Sequence, residues 1–215
     1  MPIATITING YLKDIAVNGY TFNKDAGFPT TGFKGAKFIL ELNDGNQAAN
    51  YTWASDTSWV TVNDGVVAFT NTGTGKKVTI TGTPKSGKGN VITYNFTLNS
   101  WFINDKEIEM TWADAKRYCS SQSGYSLETV QQLNGNPDHR RGNRGVMGDL
   151  WSEWGDLMNY SGADFYAPDY SFAYWSSEQN EQDRDKLYYD VQLKYGYIGG
   201  GSETATNYVV CRQGL

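Results

Sequence analysis

Three stretches of the sequence carry residue types whose spacing could support chemistry. Gly82-Thr83-Pro84-Lys85-Ser86-Gly87-Lys88-Gly89 reproduces the Gly-x-x-x-x-Gly-Lys spacing of a phosphate loop, in which backbone N–H groups and a lysine cradle phosphate and a following Ser or Thr holds magnesium. Here the following residue is Gly89. Beyond it stands Asn90-Val91-Ile92-Thr93-Tyr94-Asn95-Phe96, which has strand composition and not that of the helix whose positive end would face the phosphates. A hairpin loop is predicted. Glu178, Glu181, Asp183 and Asp185 cluster around Arg184, and two such carboxylates could divide the roles of glycoside hydrolysis. Alternating charge in Glu-Gln-Asn-Glu-Gln-Asp-Arg-Asp-Lys is instead the mark of a solvated loop. With one histidine, His139, and neither His-Glu-x-x-His nor Gly-x-Ser-x-Gly, no catalytic residue is assigned and no enzyme activity is expected.

Cys119 and Cys211 lie far apart, in no Cys-x-x-Cys arrangement and not beside His139, so no metal site and no cofactor are expected. Bridged, they would close a loop of about 90 residues, worth roughly 4 to 5 kcal/mol on the loop-entropy account, in an oxidising compartment. Unpaired, they would be two buried thiols. Both readings stay open at this point.

The elements that must position these residues follow from length and patterning. The 215 residues suit two domains of about 100 residues each. Aromatic residues at 14%, with 24 Gly and 5 Pro, describe a turn-rich, β-rich globular chain. A net charge of −5 supplies no field for phosphate backbones or anionic lipid, so nucleic acid is not an expected partner. There is no apolar run of about 20 residues and no signal peptide at the start, so direct membrane contact is not expected. A place on a cell surface would require another part of a longer protein to export and anchor the chain.

In the first hundred residues, Phe38, Leu40 and Leu42 share one face, as do Ile92, Tyr94, Phe96 and Leu98. Further strands are predicted at 3–8, 51–54, 58–62, 66–70 and 77–81. Asn43-Asp44-Gly45, Asn63-Asp64-Gly65 and Gly73-Thr74-Gly75 punctuate them with residues that accept positive φ. About seven short strands without helices predict an antiparallel sandwich. No cysteine pair lies there, and Trp53 and Trp59 are read as packing residues.

After Leu98 the pattern changes. Strand-like Trp101-Phe102-Ile103 leads into a helix with Trp112, Ala115 and Cys119 on one face and Thr111 with Asp114 as its capping pair. A second helix is predicted from Ser126 as cap, with Leu127, Val130 and Leu133 inward. Residues 134–149 read as a loop, Leu150-Trp151-Ser152-Glu153-Trp154-Gly155-Asp156-Leu157-Met158-Asn159-Tyr160 as one short helix, and 161–175 as irregular. Strands resume with Leu187, Tyr189, Val191 and Leu193 on one face, Tyr188, Asp190 and Gln192 on the other, and 207–211 last. No linker marks the seam, which predicts two rigidly packed domains.

Thr111-Trp112-Ala113-Asp114-Ala115-Lys116-Arg117-Tyr118-Cys119, with Cys211 near the end, resembles the opening and closing signature of C-type-lectin-like domains. Residues 148–162, 174–178 and 208–215 resemble more narrowly the carboxy-terminal domain of intimin/invasin adhesins, and residues 19–45 and 58–70 resemble the bacterial immunoglobulin-like domain that precedes it. The resemblance implies an all-β immunoglobulin-like domain over 1–98, an α+β C-type-lectin-like domain over 99–215, and a Cys119–Cys211 disulfide. It implies the exposed end of an outer-membrane-anchored bacterial surface protein, and the end of the chain four residues after Cys211 fits a natural carboxy terminus. Partners in the family are host proteins: integrin-type receptors, a bacterially delivered receptor, or an immunoglobulin or other glycoprotein. None of the calcium triplets of C-type lectins occurs in 99–215, and Asn136-Pro137-Asp138 is the nearest fragment. Calcium-independent glycan binding and a structural or self-association role are the alternatives.

Protein recognition favours stiff aromatics with arginine, and two loops have that make-up. One offers His139, Arg140, Arg141 and Arg144, and the other Tyr160, Phe165, Tyr166, Tyr170 and Phe172, with the acidic 178–185 segment at their edge. The expected receptor-binding residues are Arg140, Arg141, Arg144, Tyr160, Asp164, Tyr166, Asp169, Tyr170 and Arg184. Asp164 or Asp169 would be the carboxylate available to an integrin metal. Phe165 and Phe172 could equally pack beneath their own loop.

Overall fold

The structure is a computed structural model that describes residues 2–4, 7, 9–43 and 47–215. It is mostly β-sheet with three short α-helices among those residues. In chain order the strands are β1 (Leu12–Val17), β2 (Tyr20–Asn23), β3 (Thr31–Phe33), β4 (Lys37–Leu42), β5 (Tyr51–Ser55), β6 (Val60–Asn63), β7 (Val66–Phe69), β8 (Val78–Pro84), β9 (Ile92–Phe96), β10 (Ser100–Asn104), β11 (Tyr174–Gln179), β12 (Tyr188–Val191), β13 (Ile198–Gly201) and β14 (Val210–Gly214). Between β10 and β11 lie α1 (Trp112–Ser121), α2 (Val130–Asn134) and α3 (Leu150–Trp154).

In the first half, β2-β1-β4-β7-β6 form one sheet and β5-β8-β9 another. Their inner faces meet where Phe38 and Phe69 bring their rings to 6.1 and 5.6 Å from Phe96. These strands form where the sequence alternates: β9 buries Ile92, Tyr94 and Phe96 and exposes Thr93 and Asn95. Asp64 and Gly65, at φ 46° and 79°, make the tight turn between β6 and β7. The phosphate-loop look-alike is the end of β8 and the connection to β9, where the Ser86 hydroxyl accepts the Lys88 N–H at 3.2 Å. The predicted strand at 3–8 and the turn Asn43-Asp44-Gly45 lie in part outside the described residues.

β1, β2 and β3 were not visible in the sequence pattern. In β1 the register shifts between Leu12 and Asp14, so the inward residues are Leu12, Ile15 and Val17 and the period of two is broken. β2 has a single buried residue, Phe22. All three residues of β3 are buried: it pairs in parallel with β10, whose other neighbour is antiparallel β14, and its side chains pack against Trp154, Tyr160 and Phe165.

In the second half, α1 is capped by Thr111, whose hydroxyl accepts the Asp114 N–H at 3.3 Å. Cys119 on α1 and Cys211 on β14 are joined by a disulfide with Cα atoms 5.4 Å apart, beneath Trp112, Leu127, Trp175 and Val209. Ser126 is not the cap of the second helix. Its backbone exchanges hydrogen bonds with Arg212 at 3.0 and 2.9 Å, and α2 is capped by Thr129, whose hydroxyl accepts the Gln132 N–H while the Gln132 side-chain Oε1 accepts the Thr129 N–H. That reciprocal pair satisfies two orphan donors where Ser126 would satisfy one. The predicted inward residues Leu127, Val130 and Leu133 are buried.

The third predicted helix is two pieces: α3 ends at Gly155, φ 73°, and a separate 3-10 turn spans Leu157–Asn159. Asp190, expected outward, is buried and accepts from Asn207 Nδ2 at 2.9 Å. β12 is the middle strand of β11-β12-β13, and Tyr188 stacks on Trp112 at 4.1 Å, so both faces of β12 are covered.

α3 joins the two halves of the chain. Trp154 is fully buried with ring centroids 4.9 Å from Phe28, 5.3 Å from Phe33 and 5.9 Å from Phe69, and its Nε1–H donates to the Thr31 hydroxyl at 2.9 Å. Beside it, the Glu153 carboxyl accepts from the Thr30 N–H at 2.6 Å and the Gly148 N–H at 3.0 Å, and lies 2.7 and 3.1 Å from the Thr30 and Thr31 hydroxyls. Burial outweighs these bonds and pushes the Glu153 carboxyl up to about 7. One continuous set of buried side chains consequently runs from Leu12 to Val210.

Candidate functional site

The turn between β12 and β13 sets the site. Gly196 adopts φ 74°, and a Cβ there would lie 2.8 Å from the Trp151 ring, so glycine is required and the flanking Tyr195 and Tyr197 are turned outward to different degrees. The Gly196 carbonyl accepts the Gly142 N–H at 2.9 Å and Asn134 Nδ2 at 3.1 Å. Asn134 is fully buried at the end of α2, and its Nδ2 also donates to the Arg140 carbonyl at 2.9 Å. One amide thus ties the basic loop to the tyrosine turn. The aromatic loop is attached from the other side, with Gln192 Nε2 donating to the Tyr170 carbonyl at 2.8 Å.

These ties produce a row of rings, exposed at Tyr170 and Tyr197 and half-buried at Tyr195 between them. Tyr170, 75% exposed, stacks on Tyr195 with centroids 5.3 Å apart and planes at 9°. Tyr195 lies 6.4 Å from Tyr197, which is 46% exposed. The Arg141 guanidinium sits 4.7 Å from the centroid of Tyr197, with its Nε–H donating to the Tyr195 carbonyl at 3.3 Å, and Lys194 Nζ lies 5.5 Å from the centroid of Tyr195.

Of the residues singled out in the sequence, the structure brings Arg141 and Tyr170 into this row. Arg140 is exposed next to it, and Asp169 precedes Tyr170, its carboxylate held below the usual range by the Ser171 hydroxyl and N–H. Arg144 points elsewhere: it donates to the Val17 and Asn18 carbonyls at 2.8 and 2.9 Å, lies 5.2 Å from the Tyr20 ring, and fastens the β1–β2 turn to the second half. Tyr160 is buried, donates to the Trp154 carbonyl at 2.6 Å, and has its hydroxyl pKa raised by that burial. Asp164 and Tyr166 line a separate groove of about 510 Å³ with Asp105, Lys106 and Ile108. Tyr166 is half-buried there, 5.6 Å from Tyr208, and its N–H donates to the Tyr174 hydroxyl. Phe165 and Phe172 are half-buried against the core. Arg184 lines a third hollow with Glu181, Leu187 and Glu203.

Tyr195 and Tyr197 are absent from the expected residues. Their signal is Lys194-Tyr195-Gly196-Tyr197, a glycine between two tyrosines, which places both rings at a tight turn.

The sequence matches the family model of invasin domain 4 over residues 13–96. It is 35% identical over 206 residues to the inverse autotransporter adhesin YeeJ of Escherichia coli strain K12, covering 94% of this chain and 8% of that protein. It is 33% identical over 165 residues to invasin of Yersinia enterocolitica, covering 74% of this chain and 19% of that protein. The chain thus spans under a fifth of either relative. The crystal structure of invasin, a bacterial integrin-binding protein, superposes with a TM-score of 0.78 at 27% identity over 96% of this chain and 40% of that one. The C-terminal 282-residue fragment of intimin, in complex with the intimin-binding domain of the translocated intimin receptor, superposes with a TM-score of 0.67 at 17% identity over 95% of this chain and 66% of that one, a likeness of fold. The chain belongs to the intimin/invasin family of adhesins.

Proposed function

We propose that the chain is the receptor-contacting part of a bacterial surface adhesin, with an immunoglobulin-like domain over 1–98 and a C-type-lectin-like domain over 99–215 whose loops bind a host protein without catalysis. The observation that carries this reading is the row Tyr170, Tyr195 and Tyr197 with Arg141, held out to solvent on loops tied by buried Asn134. Rigid amphipathic rings and a guanidinium bury much area at small entropic cost, which is what a protein interface uses. The two sheets of the first half and the Cys119–Cys211 closure of the second support the domain assignment. Adhesin and invasin relatives support a place on the bacterial surface, at the exposed end of an anchored protein, and the integrin-binding invasin and receptor-bound intimin structures support a protein receptor as partner.

Tyr166 is a packing residue and a poor probe, so the test uses Tyr170. Beads coated with the chain are expected to adhere to epithelial monolayers, and Tyr170→Ala with Arg141→Ala to lower adhesion at least tenfold while the melting temperature stays within about 2 °C, because neither side chain supports the core. Undiminished adhesion of the double variant would remove the loops as the contact.

A further inference from the structure

The tyrosine row is framed by the cations Arg140, Arg141 and Lys194. Among the described residues, ion pairs within 4.0 Å join Lys24 to Asp25, Arg117 to Asp114 and His139 to Glu178, and none involves Arg140, Arg141 or Lys194. Arg141 uses only its Nε–H, on the Tyr195 carbonyl, so both Nη groups remain for a planar acceptor. The acids of the surrounding loops make their own hydrogen bonds and no ion pair to these cations. Asp169 accepts from the Ser171 hydroxyl and N–H, Glu178 from the Val130 N–H and His139, and Asp156, which Lys194 influences at longer range, from the Met158 N–H. In a chain of net charge −5, Arg140 and Arg141 are exposed cations and Lys194 a half-buried one beside the row.

Resting on the receptor-binding reading above, we infer that the row takes an acidic, extended segment of a partner protein, with its carboxylates on Arg141 and Lys194 and its backbone along the tyrosine hydroxyls. The ring geometry favours a peptide over a sugar. Tyr195 already has Tyr170 stacked on it and Lys194 over it, and Tyr197 carries Arg141, so two of the three rings offer edges and hydroxyls where a sugar needs an open face. Arg141 supplies the fork that a carboxylate accepts in two parallel bonds. The negative remainder of the molecule repels an acidic segment from other faces and steers it to this one.

The test titrates the isotopically labelled 215-residue chain with poly-L-glutamate of about 12 residues and follows backbone amides by NMR. Shifts are expected at Tyr170 and at 194–197. They should weaken severalfold between 50 and 300 mM NaCl and disappear in Arg141→Glu with Lys194→Glu. Lys76→Glu with Lys77→Glu, exposed and of equal charge change, should leave them unaltered. If the charge-reversed variant unfolds, Arg141→Met with Lys194→Met keeps the stems and removes the charge. Absence of shifts at these amides, shifts confined to Lys76 and Lys77, or a response to polysialic acid and not to poly-L-glutamate would each overturn the inference. The two readings fail separately. Adhesion lost in the alanine variant without any poly-L-glutamate response removes the acidic partner and leaves the receptor site, whereas a poly-L-glutamate response with adhesion unaffected does the reverse.

Discussion

At the scale of single residues, Glu153 shows how a polar group is retained in an aromatic core. Its oxygens meet three backbone N–H groups and two hydroxyls, yet burial dominates and raises its carboxyl to about 7. The raised value fixes the sign of a pH effect. The folded state holds the proton more tightly than the unfolded one, so the stabilisation is complete below the unfolded pKa near 4.5 and is lost as pH rises through about 7. Asp149 and Asp190, each raised to about 6 by burial, act in the same direction. A shift of this size is worth on the order of 3 kcal/mol at most. Replacing Glu153 by Gln removes its titration, so the drop in melting temperature between pH 5 and pH 8 should be clearly smaller in the variant than in the parent. Equal drops would show that Glu153 is not the responsible group. The residues of the candidate site were only partly legible at this scale, because sequence shows residue type and not direction: Arg141 and Arg144 lie three positions apart in one basic loop, and one faces solvent while the other is spent on the Val17 and Asn18 carbonyls.

At the scale of elements, what could be read from sequence was what keeps a period. β4 and β9 follow the two-residue alternation, and β12 was legible as a strand although it buries Asp190 on the face read as outward, whereas β1 is bulged and β3 is wholly buried, so each of these two breaks the rule that would reveal it. The helices show the same division. Their buried faces were legible, but the start of α2 depended on a competition between two caps, which the backbone pairing of Ser126 with Arg212 decides. Thr129→Ala removes the hydroxyl half of the capping box and should lower stability by about 1 kcal/mol. Ser126→Ala should change it by less than about 0.5 kcal/mol, since Ser126 contributes through its backbone. Denaturant midpoints of the two variants decide the matter, and the opposite ranking would return the cap to Ser126.

At the scale of the whole molecule, the halves share what normally separates domains. β3, from the first hundred residues, is hydrogen-bonded to β10, and β10 to β14, which carries Cys211. Trp154 of the second half sits among Phe28, Phe33, Phe38 and Phe69 of the first. Separating the halves would strip the ring neighbours from the indole, leave Glu153 without Thr30 and Thr31, and open one edge of β10. The joint therefore couples unfolding of one half to unfolding of the other, and a load on the tyrosine row reaches the first sheet through packed side chains and not through a tether. The 215 residues are expected to melt in one calorimetric transition, with an enthalpy of about 150 kcal/mol near 60 °C equal to its van't Hoff value. Trp154→Ala should destabilise by about 3 to 5 kcal/mol and, by removing the wedge between the halves, broaden or divide that transition. Two resolved peaks in the parent chain would contradict this coupling and make the halves independent bodies. A single peak in the parent that divides only in the tryptophan variant would locate the coupling at α3.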